Sequence, residues 1–185
     1  PFEPLWEQYE RIIKDNGAIV LFGNEPFASH LRISNLKLYK YDLVWEKTRP
    51  SNSMMAYKQP LRTHEMMPIF YKKQPSYNPQ KWLIDERFID RRKKHSQENY
   101  SHNIIGLKKK QRDRPIDDGT RFPMSIIPII STGNAVHPTQ KPVALFEYLI
   151  KTYTNEGEIV LDNCIGSGTT AIAAHNTGRF FIGIE

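Results

Sequence analysis

The 185-residue chain has a single cysteine, Cys164, which excludes a disulfide framework and any multi-cysteine zinc site. No apolar run approaches the roughly 18–20 residues of a membrane span, and no charged-then-apolar leader opens the chain. The cytoplasm is therefore the expected compartment, with no membrane partner. Gly-x-x-x-x-Gly-Lys-Ser/Thr is missing, so the chain is not a P-loop protein. His64-Glu65 begins a metalloprotease-like pattern, but Pro68 stands where the second histidine would be needed. Internal repeats are absent, and so is any Pro-Pro pair. The length suits one domain, or one domain with a small appendage, and is enough to bury a core without covalent staples.

What charge there is lies in one place. Lys and Arg number 26 against 20 Asp and Glu, for a net charge of +6. Arg87, Arg91, Arg92, Lys93, Lys94, Lys108, Lys109, Lys110, Arg112 and Arg114 fall in one window with only Asp90, Glu98 and Asp113. That window carries +7, so the rest of the chain is close to neutral. A polar, basic segment of this kind suits a polyanion and offers little to a core.

The flanking segments have the patterns of ordered structure. Leu5, Tyr9, Ile12 and Ile13 follow a helical rhythm over Pro4 to Lys14, with Asn16-Gly17 as the stop and a left-handed residue expected there. Ala18 to Phe22 is a continuous apolar run, expected as a strand buried on both faces. Tyr41–Glu46 and Met66–Tyr71 are further strands, the second assigned to an edge or a bulge because of Pro68. Prolines, charges and polar residues from Gln74 to Met124 predict loops and short helices. Pro142 to Thr154 is an amphipathic helix with proline in its first turn. Glu158–Asp162, Ser167–Thr177 and Arg179–Glu185 then form strand, small-residue helix and strand, with Gly178 closing the helix. This βαβ unit predicts an α/β fold with a Rossmann-like, mostly parallel sheet covered by helices on both faces.

The sharpest local signal is Asp162-Asn-Cys-Ile-Gly166-Ser-Gly168-Thr-Thr170. Glycines where a strand turns into a helix let backbone N–H groups approach a ligand, and the helix N-terminus adds partial positive charge. Asp162 ends the strand, where a carboxylate can receive an ammonium group. Glu185 follows 23 residues later, near the spacing that places an acid on ribose hydroxyls. An adenosine-containing cofactor fits this pattern. Gly166-x-Gly168-x-x-Ala171 also satisfies the loose dinucleotide fingerprint, so NAD stays open on these residues alone.

His137-Pro-Thr-Gln-Lys-Pro142, a helix, and then the Asp162–Thr170 turn resemble the paired signature of DNA amino-methyltransferases. The order, with a variable basic region before both, resembles the β-type of restriction–modification enzymes. The match is densest from Asn134 to Glu185. It is supported over Pro1 to Tyr71 by a helix, the Ile-Val-Leu-Phe-Gly strand, Trp45-Glu-Lys47 and His64-Glu65. The resemblance implies S-adenosylmethionine as cofactor and disfavours NAD. Its methionine part would lie among Asp162, Asn163, Cys164, Gly166, Ser167, Gly168, Thr169 and Thr170. Thr139, Gln140 and Lys141 would lie beside it, with Lys141 near its carboxylate, and Glu185 would take the ribose. Residues 1–49 and 129–185 would form the methyltransferase domain, and 50–128 an inserted target-recognition region meeting double-stranded DNA through the ten basic residues.

The family's Asp/Asn/Ser-Pro-Pro-aromatic tetrapeptide is not in the chain; Asn78-Pro79 is the nearest echo. In the β-type order it would precede the first helix. Together with the start at Pro1 and the stop at Glu185 inside a predicted strand, this marks the chain as a fragment, incomplete at both ends, and leaves its catalytic residues unknown. The tetrapeptide's oxygens would accept hydrogen bonds from the exocyclic amine, and its aromatic would stack on a flipped-out base. The implied activity is methylation of adenine N6, with cytosine N4 methylation or a non-catalytic DNA-binding relative as alternatives, in a bacterial or phage-infected cell. Plainer roles fall to other residues. Cys164 is expected to pack in the interior, Met54, Met55, Met66 and Met67 to pack, and Trp6 and Trp45 to sit in the core. His137 is expected to shape a turn, and Trp82 to lie near nucleic acid. Phe70, Tyr71 and Tyr77 are expected to be exposed, where they could serve a homodimer.

Overall fold

The computed structural model describes residues 2–83, 119–131 and 140–185. They fall into two compact units: Pro1–Asn78 with Met124–Glu185, and Pro79–Pro123. The basic window, His137 and Thr139 lie outside the described residues.

The first unit opens with α1 (Glu3–Ile12), then β1 (Ile19–Val20), α2 (Phe27–Ser34), β2 (Tyr39–Ser51) and β3 (Arg62–Phe70), with a 3₁₀ turn (Ser53–Met55) between the last two. In the second unit, β4 (Trp82–Leu83) pairs antiparallel with β5 (Thr120–Arg121), and the Lys81 ammonium sits over the Phe122 ring. The first unit resumes with β6 (Ile126–Pro128), α3 (Val143–Tyr153), β7 (Ile159–Asp162), α4 (Thr169–Asn176) and β8 (Phe180–Gly183). Among the described residues no helix is long and apolar enough to cross a membrane.

The fold is α/β, but the sheet is only partly parallel. Four strands lie in the order β1-β3-β2-β6; β3 is antiparallel to both neighbours, and only β6 runs parallel to β2. β7 and β8 form a separate parallel pair. The parallel βαβ unit was legible because its helix lies between its strands in sequence. The β2–β3 hairpin is a different connection, and it reverses the chain.

Side-chain alternation sorts the four-stranded sheet into two faces. Leu43, Trp45, Met67, Ile69 and Ile127 pack against Leu145, Leu149 and Tyr153 of α3. Ile19 and Phe70 face the other way with Leu38, meeting Trp6 of α1. A register shift between Tyr39 and Tyr41 puts two residues of the same parity on opposite faces, as a bulge must. Each large apolar side chain buried this way contributes about 1.5–3 kcal/mol. Phe70, expected to be exposed, is fully buried here.

Pro68 sits in a strand flanked on both sides, against the edge assignment. Its carbonyl accepts from Leu21 N–H at 3.2 Å, on the β1 side. A strand residue's N–H and C=O point the same way, so the missing donor also faces β1, where regular pairing covers two residues. Gly17 differs too. α1 ends at Ile12, and Gly17 is not left-handed; a Cβ there would stand 2.7 Å from Ile13 Cδ1. Close approach, rather than dihedral freedom, explains that glycine.

Among the described residues, β7 and β8 are not covered on both faces. Val160 packs with Ile150, Ala173 and Ala174 between α3 and α4, whereas Ile159 is 61% exposed and Phe180 68%. An apolar run reports a need for cover; it does not report that the cover is there.

Candidate cofactor site

Backbone conformation builds the turn after β7. Asp162 Oδ1 accepts from Cys164 N–H at 3.0 Å, an Asx-type turn, and Oδ2 accepts from the Thr170 hydroxyl at 2.5 Å. Its two oxygens thus tie the start of the turn to the first turn of α4. Gly166 (φ 48°) and Gly168 (φ 78°) are both left-handed, a conformation that side-chain-bearing residues rarely adopt. Gly168 caps α4 at its N-terminus, and its own N–H donates to the Ile165 carbonyl at 2.9 Å.

β8 closes the turn from the other side. Ile165 N–H donates to Ile184 at 3.0 Å, and Gly166 N–H donates to Glu185 Oε2 at 2.8 Å. A Cβ on Gly183 would stand 2.2 Å from Ile165 Cδ1, so the turn rests directly on that glycine. From α1, the Tyr9 hydroxyl donates to Asn163 Oδ1 at 3.0 Å. Burial pushes the Tyr9 phenol upward, and the nearby Cys164 and Asp162 add to the shift. Tyr9 is therefore a neutral donor at physiological pH.

A second cluster lies where α3 begins. Glu65 stands between two ammonium groups, Lys47 at 2.9 Å and Lys141 at 3.4 Å. Lys141 also lies over the Phe22 ring at 4.7 Å, and Phe22 stacks on Phe146 of α3 at 5.5 Å. Two residues beyond Phe22, Asn24 keeps a buried side-chain oxygen with no hydrogen-bond partner among the described residues.

A family model described as DNA methylase, of the N6/N4 methyltransferase type, matches residues 2–185. The chain belongs to the N6/N4 DNA methylase family. The Type II methyltransferase M2.MboI of Moraxella bovis is 29% identical over 182 residues, covering 96% of this chain and 57% of that protein. The chain thus spans little more than half the length of that relative. Two solved structures share the fold. The M1.HpyAVI–SAM complex has a TM-score of 0.64 at 24% identity, over 98% of this chain and 74% of its own. The cytosine-N4-specific PvuII DNA methyltransferase has 0.61 at 15% identity, over 93% and 60%.

Within this methylase-family chain, hydrogen bonds bring Asp162, Asn163, Cys164, Gly166, Thr170 and Glu185 into one turn, with Ser167, Gly168 and Thr169 between them. Thr169 and Thr170 are buried, while Gly166 and Ser167 are exposed. Cys164 is exposed rather than packed inside, because the Asx turn throws it outward. Gln140 and Lys141 stand just ahead of α3, and Lys141 is engaged by Glu65. Among the described residues, no group of His, Cys, Asp and Glu could hold a metal ion.

The sequence reading does not reach Tyr9, Glu65 or Gly183 as site residues. In the sequence Tyr9 is one more apolar position of an amphipathic helix. Gly183 carried a usable signal, since a glycine inside a strand often marks close backbone approach.

Proposed function

We propose that this chain carries the cofactor-binding part of a DNA methyltransferase that moves a methyl group from S-adenosylmethionine to the exocyclic amine of a base flipped out of double-stranded DNA, with adenine N6 as the target. The observation that carries this is the conformation of the Asp162–Thr170 turn. Two left-handed glycines open it outward, and Asp162 fixes it at both ends. A Cβ at Gly168 would meet nothing within 4 Å, and one at Gly166 only the Cys164 carbonyl at 3.9 Å. A ligand can therefore lie against bare backbone at the N-terminus of α4, where the helix dipole favours a carboxylate. Family membership and the SAM complex of M1.HpyAVI support the same assignment.

The residues present fit that cofactor. The turn from Asp162 to Thr170, together with Thr139, Gln140 and Lys141, would hold its methionine part. Glu185 uses one carboxylate oxygen to hold Gly166 N–H, and its other oxygen would take a ribose hydroxyl. A cofactor carboxylate would compete with Glu65 for Lys141. S-adenosylmethionine supplies an electrophilic methyl group; this chain supplies position and a fixed field. Tyr9 contributes by orienting Asn163. The ten basic residues from Arg87 to Arg114 would add sequence-independent DNA affinity. The protein would act in the cytoplasm of a bacterial or phage-infected cell.

Calorimetric titration with S-adenosylmethionine, beside NAD and a Gly168→Trp variant, tests the pocket. Saturable binding abolished by the substitution, without NAD binding, is expected; binding of NAD instead would overturn the assignment. Transfer of isotope-labelled methyl to DNA by the intact protein, followed by digestion to nucleosides, tests the target. N6-methyladenine is expected, and N4-methylcytosine would replace it as the product.

A further inference from the structure

The hairpin joining β2 and β3 ends in an exposed tip that packing does not explain. Met54 is 95% exposed and Tyr57 104%, although methionines in this stretch were expected to pack. Every residue from Ser53 to Pro60 is exposed. The backbone that carries these side chains is nevertheless well tied. Asn52 is left-handed, its side-chain oxygen accepts from Arg62 N–H at 2.8 Å, and its carbonyl accepts from Met55 N–H at 2.9 Å. Lys58 and Gln59 N–H groups both return to the Met55 carbonyl, at 2.8 and 3.0 Å. A built turn thus holds an aromatic and a thioether out in water, where neither stabilises the fold.

Charge indicates what they meet. Between Lys47, which is paired with Glu65, and His64 the chain has no carboxylate, and Lys58 and Arg62 lie in and beside the tip. Apolar tips flanked by cations suit a nucleic acid duplex: the cations meet phosphates, and the apolar group enters a base step or stacks on an unpaired base. The hairpin's base is tied to the candidate site, because Glu65 on β3 pairs with Lys141 ahead of α3.

We propose that the Asn52–Pro60 tip is a DNA-inserting wedge, with Tyr57 and Met54 entering the duplex at or beside the step from which a base is extruded and Lys58 and Arg62 seated on phosphates. This inference rests on the DNA methyltransferase assignment and adds a second DNA-contacting element, distinct from the basic window. A flipped base leaves a gap in the stack, and an inserted side chain recovers part of the lost stacking.

The test is fluorescence anisotropy of the full chain with a mixed-sequence duplex of about 30 base pairs, intact or with one central mismatch, over a range of salt. Tyr57→Ala combined with Met54→Ala should weaken binding about tenfold, most on the mismatched duplex, with the salt slope unchanged. Lys58→Gln and Arg62→Gln should each lower that slope by about one. A 2-aminopurine in the duplex should brighten on binding the parent chain and stay dim with the double variant. Because both side chains lie in solvent, the variant should melt with the parent and keep its S-adenosylmethionine affinity. Parent-like DNA binding by the double variant would overturn the wedge alone. So would a loss of self-association with DNA affinity intact, which would assign the tip to a second copy. Failure of the parent chain to bind any duplex would overturn the wedge; the DNA methyltransferase assignment would fall with it only if S-adenosylmethionine binding and methyl transfer to DNA were lost as well.

Discussion

The four-stranded sheet and the β7–β8 pair belong to the same compact unit, yet their residues are used differently. In the sheet, Met67, Ile69 and Phe70 are buried completely, and both faces have a helix against them. In the pair, among the described residues, Val160 alone reaches a core cluster, while Ile159, Leu161, Phe180 and Ile182 are exposed. The pair is held by its backbone ladder and by the Asp162, Gly166 and Gly183 contacts of the turn. Stability therefore concentrates in the first region, and the geometry that a ligand would recognise concentrates in the second. Substitutions should divide along that line.

The largest expected effect lies in the sheet. Phe70→Ala removes a fully buried ring that touches Trp6 at 4.8 Å between centroids and Tyr39 at 5.7 Å. It should cost about 3–5 kcal/mol in urea denaturation. Leu161→Ala in β7, exposed and outside the core clusters of the described residues, should change stability by no more than about 0.5 kcal/mol. Equal costs at the two positions would abolish the distinction between the regions.

Next comes the anchor of the turn. The Thr170 hydroxyl is buried and donates to Asp162 Oδ2, a charged acceptor. Thr170→Val keeps the shape and removes the donor, so it should cost about 1.5–3 kcal/mol. If the turn is what a cofactor reads, affinity for S-adenosylmethionine should fall along with stability. A fall in stability alone would make Asp162 a purely structural residue.

Gly183→Val sharpens the comparison from below the turn. The new side chain would displace Ile165, at an overpacking cost of about 1–3 kcal/mol. Adding Ile165→Ala should recover part of both stability and cofactor affinity. A double-mutant coupling of at least about 0.5 kcal/mol is expected, since the two residues are in contact. Strict additivity would mean that the turn does not rest on β8 as the geometry indicates.

The sequence was most legible where local chemistry decides structure. Pro142 ahead of Val143–Tyr153, Gly178 after α4 and the left-handed Gly166 and Gly168 all follow from dihedral and capping preferences. It was least legible where partners are distant. Nothing local to Met66–Phe70 says that β3 lies between two antiparallel neighbours, because pairing is chosen by contacts formed across the chain. Tyr9 meeting Asn163 spans 154 positions, and Glu65 meeting Lys141 is non-local too. Met54, expected to pack, lies in solvent for a related reason. Composition assigns such residues to a core, whereas only the hairpin's length carries them past it.

The smallest expected effect returns to the covered face of the sheet. The Tyr41 and Tyr153 hydroxyls share a hydrogen bond of 2.9 Å beneath α3, and burial raises both phenols above the ordinary value of 10.0, Tyr153 the more strongly. The folded protein therefore holds these protons more tightly than the unfolded chain. That stabilisation is complete below pH 10 and is lost as pH rises toward the folded values, by at most about 1.4 kcal/mol per pH unit for each phenol. At neutral pH, Tyr153→Phe removes one neutral hydrogen bond and should cost about 1 kcal/mol. Above pH 10 the variant should lose stability less steeply than the parent, so that the two melting curves converge. Tyr9, whose phenol is also raised, lies beside the open turn. Tyr9→Phe should flatten the alkaline limb less than Tyr153→Phe, because its phenol is held less deeply and contributes less to the folded state. Equal flattening by both substitutions would place the turn and the sheet in one environment, against the contrast in burial from which their different roles are drawn.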